Sequence, residues 1–257
     1  MPTRYALPWT ELHLHDGGNG RRYLLHVALP RAVAEGKAGD RRYPVIYMPD
    51  PQWDFALVQA TAGNLAVDGA IPECIVVGVG YPGEDLDYES MRAVDLAPVP
   101  GQYHERGPVV GGQAEAFLGV LEREIVPFVE GRWPADPARR VLLGSSQGGL
   151  FGLYATFARP GLFPGVVAVS PAVIWANEWM FGLEERFAGP LEVRLFLSAA
   201  AEEWPGFRGA IVRFEAALRA RARPGLRHEW RLIEGERHSG TKAEGFTRGL
   251  RYVLAAP

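Results

Sequence analysis

The chain contains one cysteine, Cys74, so no disulfide can form within it. Lysine is nearly missing as well: 2 lysines stand against 25 arginines, a compositional bias that carries no function by itself. The net charge is −3, which supplies no basic footprint for nucleic acid. No run of about 18 apolar residues offers a membrane span, and no basic start leads into an apolar core at the N-terminus. The expected setting is therefore cytoplasmic, with no membrane and no nucleic-acid partner. No repeat, linker or low-complexity tract divides the 257 residues, a length that one α/β core can fill, so a single domain over residues 1–257 is expected. Cys74 lies in the apolar run Cys74-Ile75-Val76-Val77 and reads as a small buried side chain rather than a reactive thiol.

What is present is alternation. Residues 12–15 and 23–29 read as strands of an antiparallel hairpin turned at Gly17-Gly18-Asn19-Gly20. Short strands follow at 45–48, 74–79, 141–143, 166–169, 193–197 and 227–233, most of them apolar. Helical patterns fall at 55–67, 114–129, 150–157, 207–222 and 241–254, and residues 81–112 read as a long polar loop. Short apolar strands that alternate with helices predict a mostly parallel central sheet covered by helices on both faces.

The most informative segment is Gly144-Ser145-Ser146-Gln147-Gly148, between a strand and a helix. A serine at the apex of a sharp strand-to-helix turn is presented to a substrate, and glycines two residues to either side avoid backbone collision. This pattern predicts a nucleophile elbow with Ser146 as nucleophile. Ser145, one residue before the apex, should point elsewhere. A serine hydroxyl needs a base within hydrogen-bond reach and a third group to orient that base. Of the six histidines, His238 lies in a polar loop after the last strand, at the sheet edge where Ser146 is expected. His26 and His228 fall inside strands, and His104 falls in the polar loop. His13 and His15 share a strand face, but two ligands without a third make no metal site. The orienting acid should follow the strand at 193–197, where Glu203 is the first choice and Glu202 the second. The competing role for either is an acid that suits the dipole of the next helix. The oxyanion of a tetrahedral intermediate needs two donors. The backbone N–H of Gln147 supplies one. Pro51 has no N–H, so the loop after the strand at 45–48 offers Gln52 as the other. No metal and no cofactor is called for.

The runs Gly144-Ser145-Ser146-Gln147-Gly148-Gly149-Leu150-Phe151-Gly152, Arg159-Pro160-Gly161-Leu162-Phe163-Pro164 and Val169-Ser170-Pro171-Ala172-Val173-Ile174-Trp175 resemble an esterase branch of the α/β-hydrolases. That branch includes siderophore trilactone esterases, S-formylglutathione hydrolase and mycolyltransferases. The resemblance extends to Pro44-Val45-Ile46-Tyr47-Met48-Pro49-Asp50 and to Glu124-Ile125-Val126-Pro127-Phe128-Val129-Glu130, so it spans nearly the whole chain. It implies the α/β-hydrolase fold, with Ser146 as nucleophile, His238 as base and Glu203 as strand-end acid.

The expected activity is a serine carboxylic-ester hydrolase that works through an acyl-enzyme on small-molecule esters, either short-chain or aryl esters or lactones. Two alternatives use the same fold: an acyltransferase with the same acyl-enzyme, and a non-catalytic binding module. About 20 residues separate the strands at 166–169 and 193–197, too few for a large lid. Trp53, Trp175, Trp179 and Trp204 lie on loops at strand ends and could wall an open pocket, with ordinary packing as the competing reading. Arg92, Arg106 and Arg237 could each clamp a free carboxylate, and nothing in the sequence selects among them.

Overall fold

A computed structural model describes residues 6–102 and 109–255. Its strands are β1 (Thr10–Asp16), β2 (Arg22–Ala28), β3 (Tyr43–Pro49), β4 (Ile75–Gly80), β5 (Pro100–Gly101), β6 (Val110–Gly111), β7 (Ala135–Ser145), β8 (Gly165–Val169), β9 (Val193–Ala200) and β10 (Leu226–Ile233). The helices are α1 (Arg31–Ala34), α2 (Pro51–Val67), α3 (Tyr88–Leu96), α4 (Ala114–Val120), α5 (Val126–Arg132), α6 (Gln147–Ala158), α7 (Trp175–Arg186), α8 (Pro205–Arg221) and α9 (Thr241–Leu254). A single π-helical turn, Leu121–Ile125, joins α4 to α5. Eight strands form one sheet in the order β1-β2-β4-β3-β7-β8-β9-β10, while β5 and β6 make a small separate hairpin. β1 and β2 run antiparallel, and every pairing from β4 to β10 is parallel.

The central strands β3, β4 and β8 carry no charged residue because both faces of the sheet are covered. Val45 and Tyr47 of β3 join one core, with Leu142, Val166 and Leu195, under α4 to α6 and α8. Their neighbours Ile46 and Met48 join the other, with Leu143, Val167 and Phe196, under α2 and α9. Strand period 2 thus feeds two cores from one run of sequence. The hairpin, the parallel sheet and the two helical layers match the pattern read from the sequence. All the carboxyl ends of the parallel strands lie along one edge, where ligands bind in open α/β sheets.

Two elements differ from the sequence reading. The loop expected over 81–112 contains α3, whose N-cap Asp87 accepts a hydrogen bond from the Ser90 N–H at 3.1 Å. The pattern is hard to read because α3 buries Arg92 and Asp95 beside Ala93 and Leu96, so ionic side chains interrupt its apolar face. The short connection before β9 contains α7, interrupted by three successive left-handed residues: Ala176, Asn177 and Glu178, with φ of 50°, 56° and 61°. Without a glycine or proline there, the sequence carried no mark of the break. His104 and Arg106 lie outside the described residues.

Candidate active site

Ser146 stands between β7 and α6 with φ 56° and ψ −118°, a conformation that costs a non-glycine residue on the order of 1–3 kcal/mol. Neighbouring backbone holds it there. The Ser146 N–H donates to Val169 O at the end of β8 (3.0 Å), and the Ala172 N–H donates back to Ser146 O (2.9 Å). The glycines make the turn possible. A Cβ on Gly144 would stand 2.4 Å from the Gly148 carbonyl carbon, and one on Gly149 would stand 3.1 Å from Pro171. A Cβ on Gly148 would meet Pro49 at 3.1 Å and the Asp50 carboxylate at 3.2 Å, so the loop after β3 packs directly on the start of α6.

His238 lies in the loop between β10 and α9, and Glu203 lies in the turn between β9 and α8. The Nδ1 of His238 is 2.5 Å from Glu203 Oε1, and Glu203 is buried. With the proton on Nδ1 donated to that carboxylate, Nε2 keeps its lone pair as an acceptor. Trp204 and Phe207 pack against the imidazole, with ring centroids 5.5 and 5.0 Å away. Two backbone bonds join the acid-bearing turn to the histidine loop: Ala201 N–H to Ile233 O at 2.9 Å, and Glu202 N–H to Glu236 O at 3.0 Å. Glu202 points its side chain outward, 3.6 Å from Arg237, and both are exposed. The two adjacent acids, equal candidates by position, therefore have different surroundings.

Ser146 faces two cavities. One, of about 490 Å³, is shared with His238 and is lined by charged groups, among them Asp50, Asp54, Arg92 and Lys242. The other, of about 1010 Å³, is shared with Gln147 and is walled by Trp175, Trp179, Trp204 and Phe207. Trp175 is fixed in that wall by its indole N–H, which donates to Val99 O at 2.9 Å. Trp53 lines the charged cavity instead, with its ring 5.4 Å from the Arg92 guanidinium. A further cavity of about 650 Å³ opens near Arg139, Gly165 and Arg194, at the amino ends of the parallel strands and away from Ser146.

Ser145 donates to Asp54 Oδ2 at 3.3 Å, and Lys242 reaches both Asp54 oxygens at 2.8 and 3.1 Å. Burial pushes the Asp54 carboxyl above the usual range, opposed by the Lys242 ammonium. This group staples α2 to α9 beside the histidine loop. Gln147 opens α6, and Gln52 is the second residue of α2, where the helix gives its N–H no internal acceptor. Gln52 lines neither cavity. Arg92, the element of this site least legible in the sequence, binds Asp50 with two N–H groups at 2.7 Å each and donates to Gln147 Oε1 at 3.1 Å. Arg237, another of the candidate clamps, is largely exposed.

The remaining single candidates fall elsewhere. His13 and His15 each meet one carboxylate, Glu11 at 2.9 Å and Glu124 at 3.0 Å. His228 stands 3.4 Å from Glu215. Burial pushes the Cys74 thiol up to about 12, and the side chain is half-buried. No helix among the described residues is long and apolar enough to cross a membrane.

Comparison with known proteins bears on this geometry. Residues 19–197 match the sequence model of a family described as "Putative esterase". The chain is 33% identical over 182 residues to the siderophore triacetylfusarinine C esterase of Aspergillus fumigatus, a match that covers 68% of this chain and 59% of that relative's length. It is 25% identical over 269 aligned positions to the ferri-bacillibactin esterase BesA of Bacillus subtilis, covering 97% of this chain and 91% of the relative. Among solved structures, the BES protein from Bacillus cereus shares its fold, with a TM-score of 0.87 at 24% identity over 100% of this chain and 98% of that one. The siderophore hydrolase EstB from Aspergillus nidulans shares it too, with a TM-score of 0.84 at 21% identity and full coverage of both chains.

Proposed function

This chain belongs to that esterase family, and on that premise we propose that it is a serine carboxylic-ester hydrolase acting through an acyl-enzyme. The observation that carries the proposal is the buried Glu203 carboxylate 2.5 Å from His238 Nδ1, with the same histidine and Ser146 lining one cavity. Ser146 Oγ attacks the ester carbonyl while His238 Nε2 takes the hydroxyl proton. The carbonyl oxygen becomes an oxyanion and is met by the backbone N–H groups of Gln147 and Gln52. As the intermediate collapses, the C–O bond to the alcohol breaks, and His238 returns the proton to the departing oxygen. Water then repeats the sequence and frees the acid. The buried Glu203 holds the imidazole in its working tautomer and stabilises the cation formed on the way. Because the base must begin unprotonated, turnover should fall on acidification.

The site also supports a substrate class. The alcohol must leave on the side where His238 can protonate it, which is the charged cavity of about 490 Å³. The acyl portion then occupies the aromatic cavity of about 1010 Å³, which favours aryl acyl groups or lactones of more than one ring over long flexible chains. The two relatives named above are esterases of siderophores, triacetylfusarinine C and ferri-bacillibactin, which makes siderophore esters a substrate class to test.

The test is a series of p-nitrophenyl esters from acetate to laurate beside p-nitrophenyl benzoate. Turnover highest on the short and aromatic members supports the proposal, whereas a maximum at laurate would contradict the assigned cavity. Two acid variants separate the neighbouring carboxylates. Glu203→Gln should reduce kcat by about 10,000-fold, the loss that follows when the orienting acid of a serine triad is replaced by its amide. Glu202→Gln should stay within about twofold, as an exposed side chain away from the imidazole allows. Equal losses in both variants would remove Glu203 from the mechanism.

A further inference from the structure

We infer that two copies of this chain pair through the outer edge of β1, antiparallel and centred on His13, so that two eight-stranded sheets become one. The inference goes beyond the hydrolase reading and does not rest on it. β1 ends the sheet, with β2 on one side and, among the described residues, no strand on the other. A terminal strand exposes unpaired N–H and C=O groups, and proteins blunt such edges with lysine, proline, other charges, bulges or short length. The opposite terminal strand, β10, carries Arg227, Glu229 and Arg231. β1 carries no lysine, arginine or proline over its 7 residues, and it pairs with β2 in unbroken register. Leu12 and Leu14 stand 59% and 64% exposed on one of its faces.

The hydrogen bonds fix which groups of this edge are free. The Leu29 N–H donates to Trp9 O at 2.9 Å, and the Gly17 N–H donates to Arg21 O at 2.8 Å, just beyond the two ends of the β1–β2 ladder. Bonded positions alternate in an antiparallel pair, so the odd residues of β1 bond β2, and the backbone groups of Thr10, Leu12, Leu14 and Asp16 point outward. A second copy must therefore set even residues against even residues. An antiparallel pairing centred on His13 does so along the whole strand. Thr10 of one copy faces Asp16 of the other, Glu11 faces His15, Leu12 faces Leu14, and His13 faces its own counterpart. Acid meets imidazole on one face, and leucine meets leucine on the other, where Leu24 of β2 flanks Leu14. Each His13 brings a carboxylate to the axis, since its Nε2 is 2.9 Å from Glu11. A shift by two residues sets Leu14 against Thr10, or Leu12 against Asp16, and shortens the ladder. A shift by one sets free backbone groups against bonded ones. Ser146 follows β7, four strand spacings or about 19 Å from β1, so the pairing edge and the nucleophile do not meet.

The test is sedimentation velocity on the full chain from about 1 to about 300 µM. A strand ladder with a leucine patch falls at the small end of specific interfaces, and a Kd on the order of 10 µM is expected. Wild type should pass from monomer to dimer over that range. Leu12→Lys/Leu14→Lys puts cations on the edge and should stay monomeric throughout, with a dilute thermal melt within a few degrees of wild type. Cross-linking reads the register. In a Cys74→Ser background, His13→Cys brings two thiols together at a non-hydrogen-bonded pair, whose Cα separation of about 4.5 Å suits a disulfide. Mild oxidation should convert most of that chain to a covalent dimer. Asp16→Cys stands opposite Thr10 and about 20 Å from its own counterpart, so it should link at least tenfold less. Should His13→Cys disturb the packing of that position on Phe128 and Trp133, an equal mixture of Leu12→Cys and Leu14→Cys chains reads the same register, with the mixed dimer in excess over either self-linked one. A wild type that is monomeric at every concentration overturns the inference. So does a dimer that survives the two lysines, or one in which Asp16→Cys links as readily as His13→Cys. None of these results touches the hydrolase reading, and a chain inactive on every ester leaves the pairing as it stands.

Discussion

Replacing Ser146 with alanine should lower ester turnover by about 1,000-fold or more and leave the protein folded. The hydroxyl is the only group removed, and the backbone that presents it is held by its bonds to Val169 and Ala172, which any side chain permits. Alanine must still occupy φ 56°, the same burden that serine bears, so the unfolding temperature should move by no more than a few degrees. The measurement is kcat on p-nitrophenyl acetate beside a thermal melt. A variant that keeps a tenth of the wild-type rate would mean that another nucleophile is at work, and Ser145 would be examined next. Ser145, however, is engaged with Asp54, one residue from the apex.

The second large effect is expected one turn away and is structural in origin. Gly144→Ala places a carbon 2.4 Å from the Gly148 carbonyl carbon, a separation that no rotamer change can relieve because a Cβ is fixed by its own backbone and its partner is backbone. The elbow must open, and with it the approach of α6 to β7. A loss of about 3 kcal/mol is expected, the upper part of the range for overpacking, which corresponds to a fall of roughly 6–12 °C in the unfolding temperature for a chain of this size. Activity should fall by at least about 100-fold in whatever folds, because Ser146 and the Gln147 N–H are displaced together. Gly63→Ala is the matched control. Its new methyl meets nothing within 4 Å inside α2, so it should be neutral or slightly stabilising. A Gly144→Ala protein that melts with its control would show that the turn has more room than its contacts indicate.

The sequence and the structure agree where chemistry and backbone constraint coincide. The elbow was legible because glycine spacing, a preceding apolar strand and a following helix report the same turn. His238 was legible because its loop follows the last strand of an alternating pattern. The two glutamates were not separable in sequence, since a difference of one position in a turn decides which carboxylate goes inward. The structure separates them through β9, which runs on to Ala200 and leaves Glu203 buried against His238 while Glu202 faces solvent. The sequence offers Arg92 only as one of three cations with no reason to prefer it. Its contacts are with Asp50 and Gln147, which lie 42 and 55 residues away in the chain, and no local pattern encodes such a meeting. The helix that carries it is hard to read for a related reason: the buried Arg92 and Asp95 interrupt the apolar face that announces a helix.

In the acyl-enzyme mechanism proposed above, the two cavities that meet at Ser146 make traffic through the site directional. Under that mechanism the acyl group still fills the aromatic chamber once the first alcohol has gone, and only the charged one stands vacant. Whatever enters that vacancy next then receives the acyl group: water yields an acid, and a second hydroxylated molecule yields a new ester. On this proposal the choice between destroying an ester and remaking one is a competition for a single empty compartment, decided by what the surrounding solution offers it.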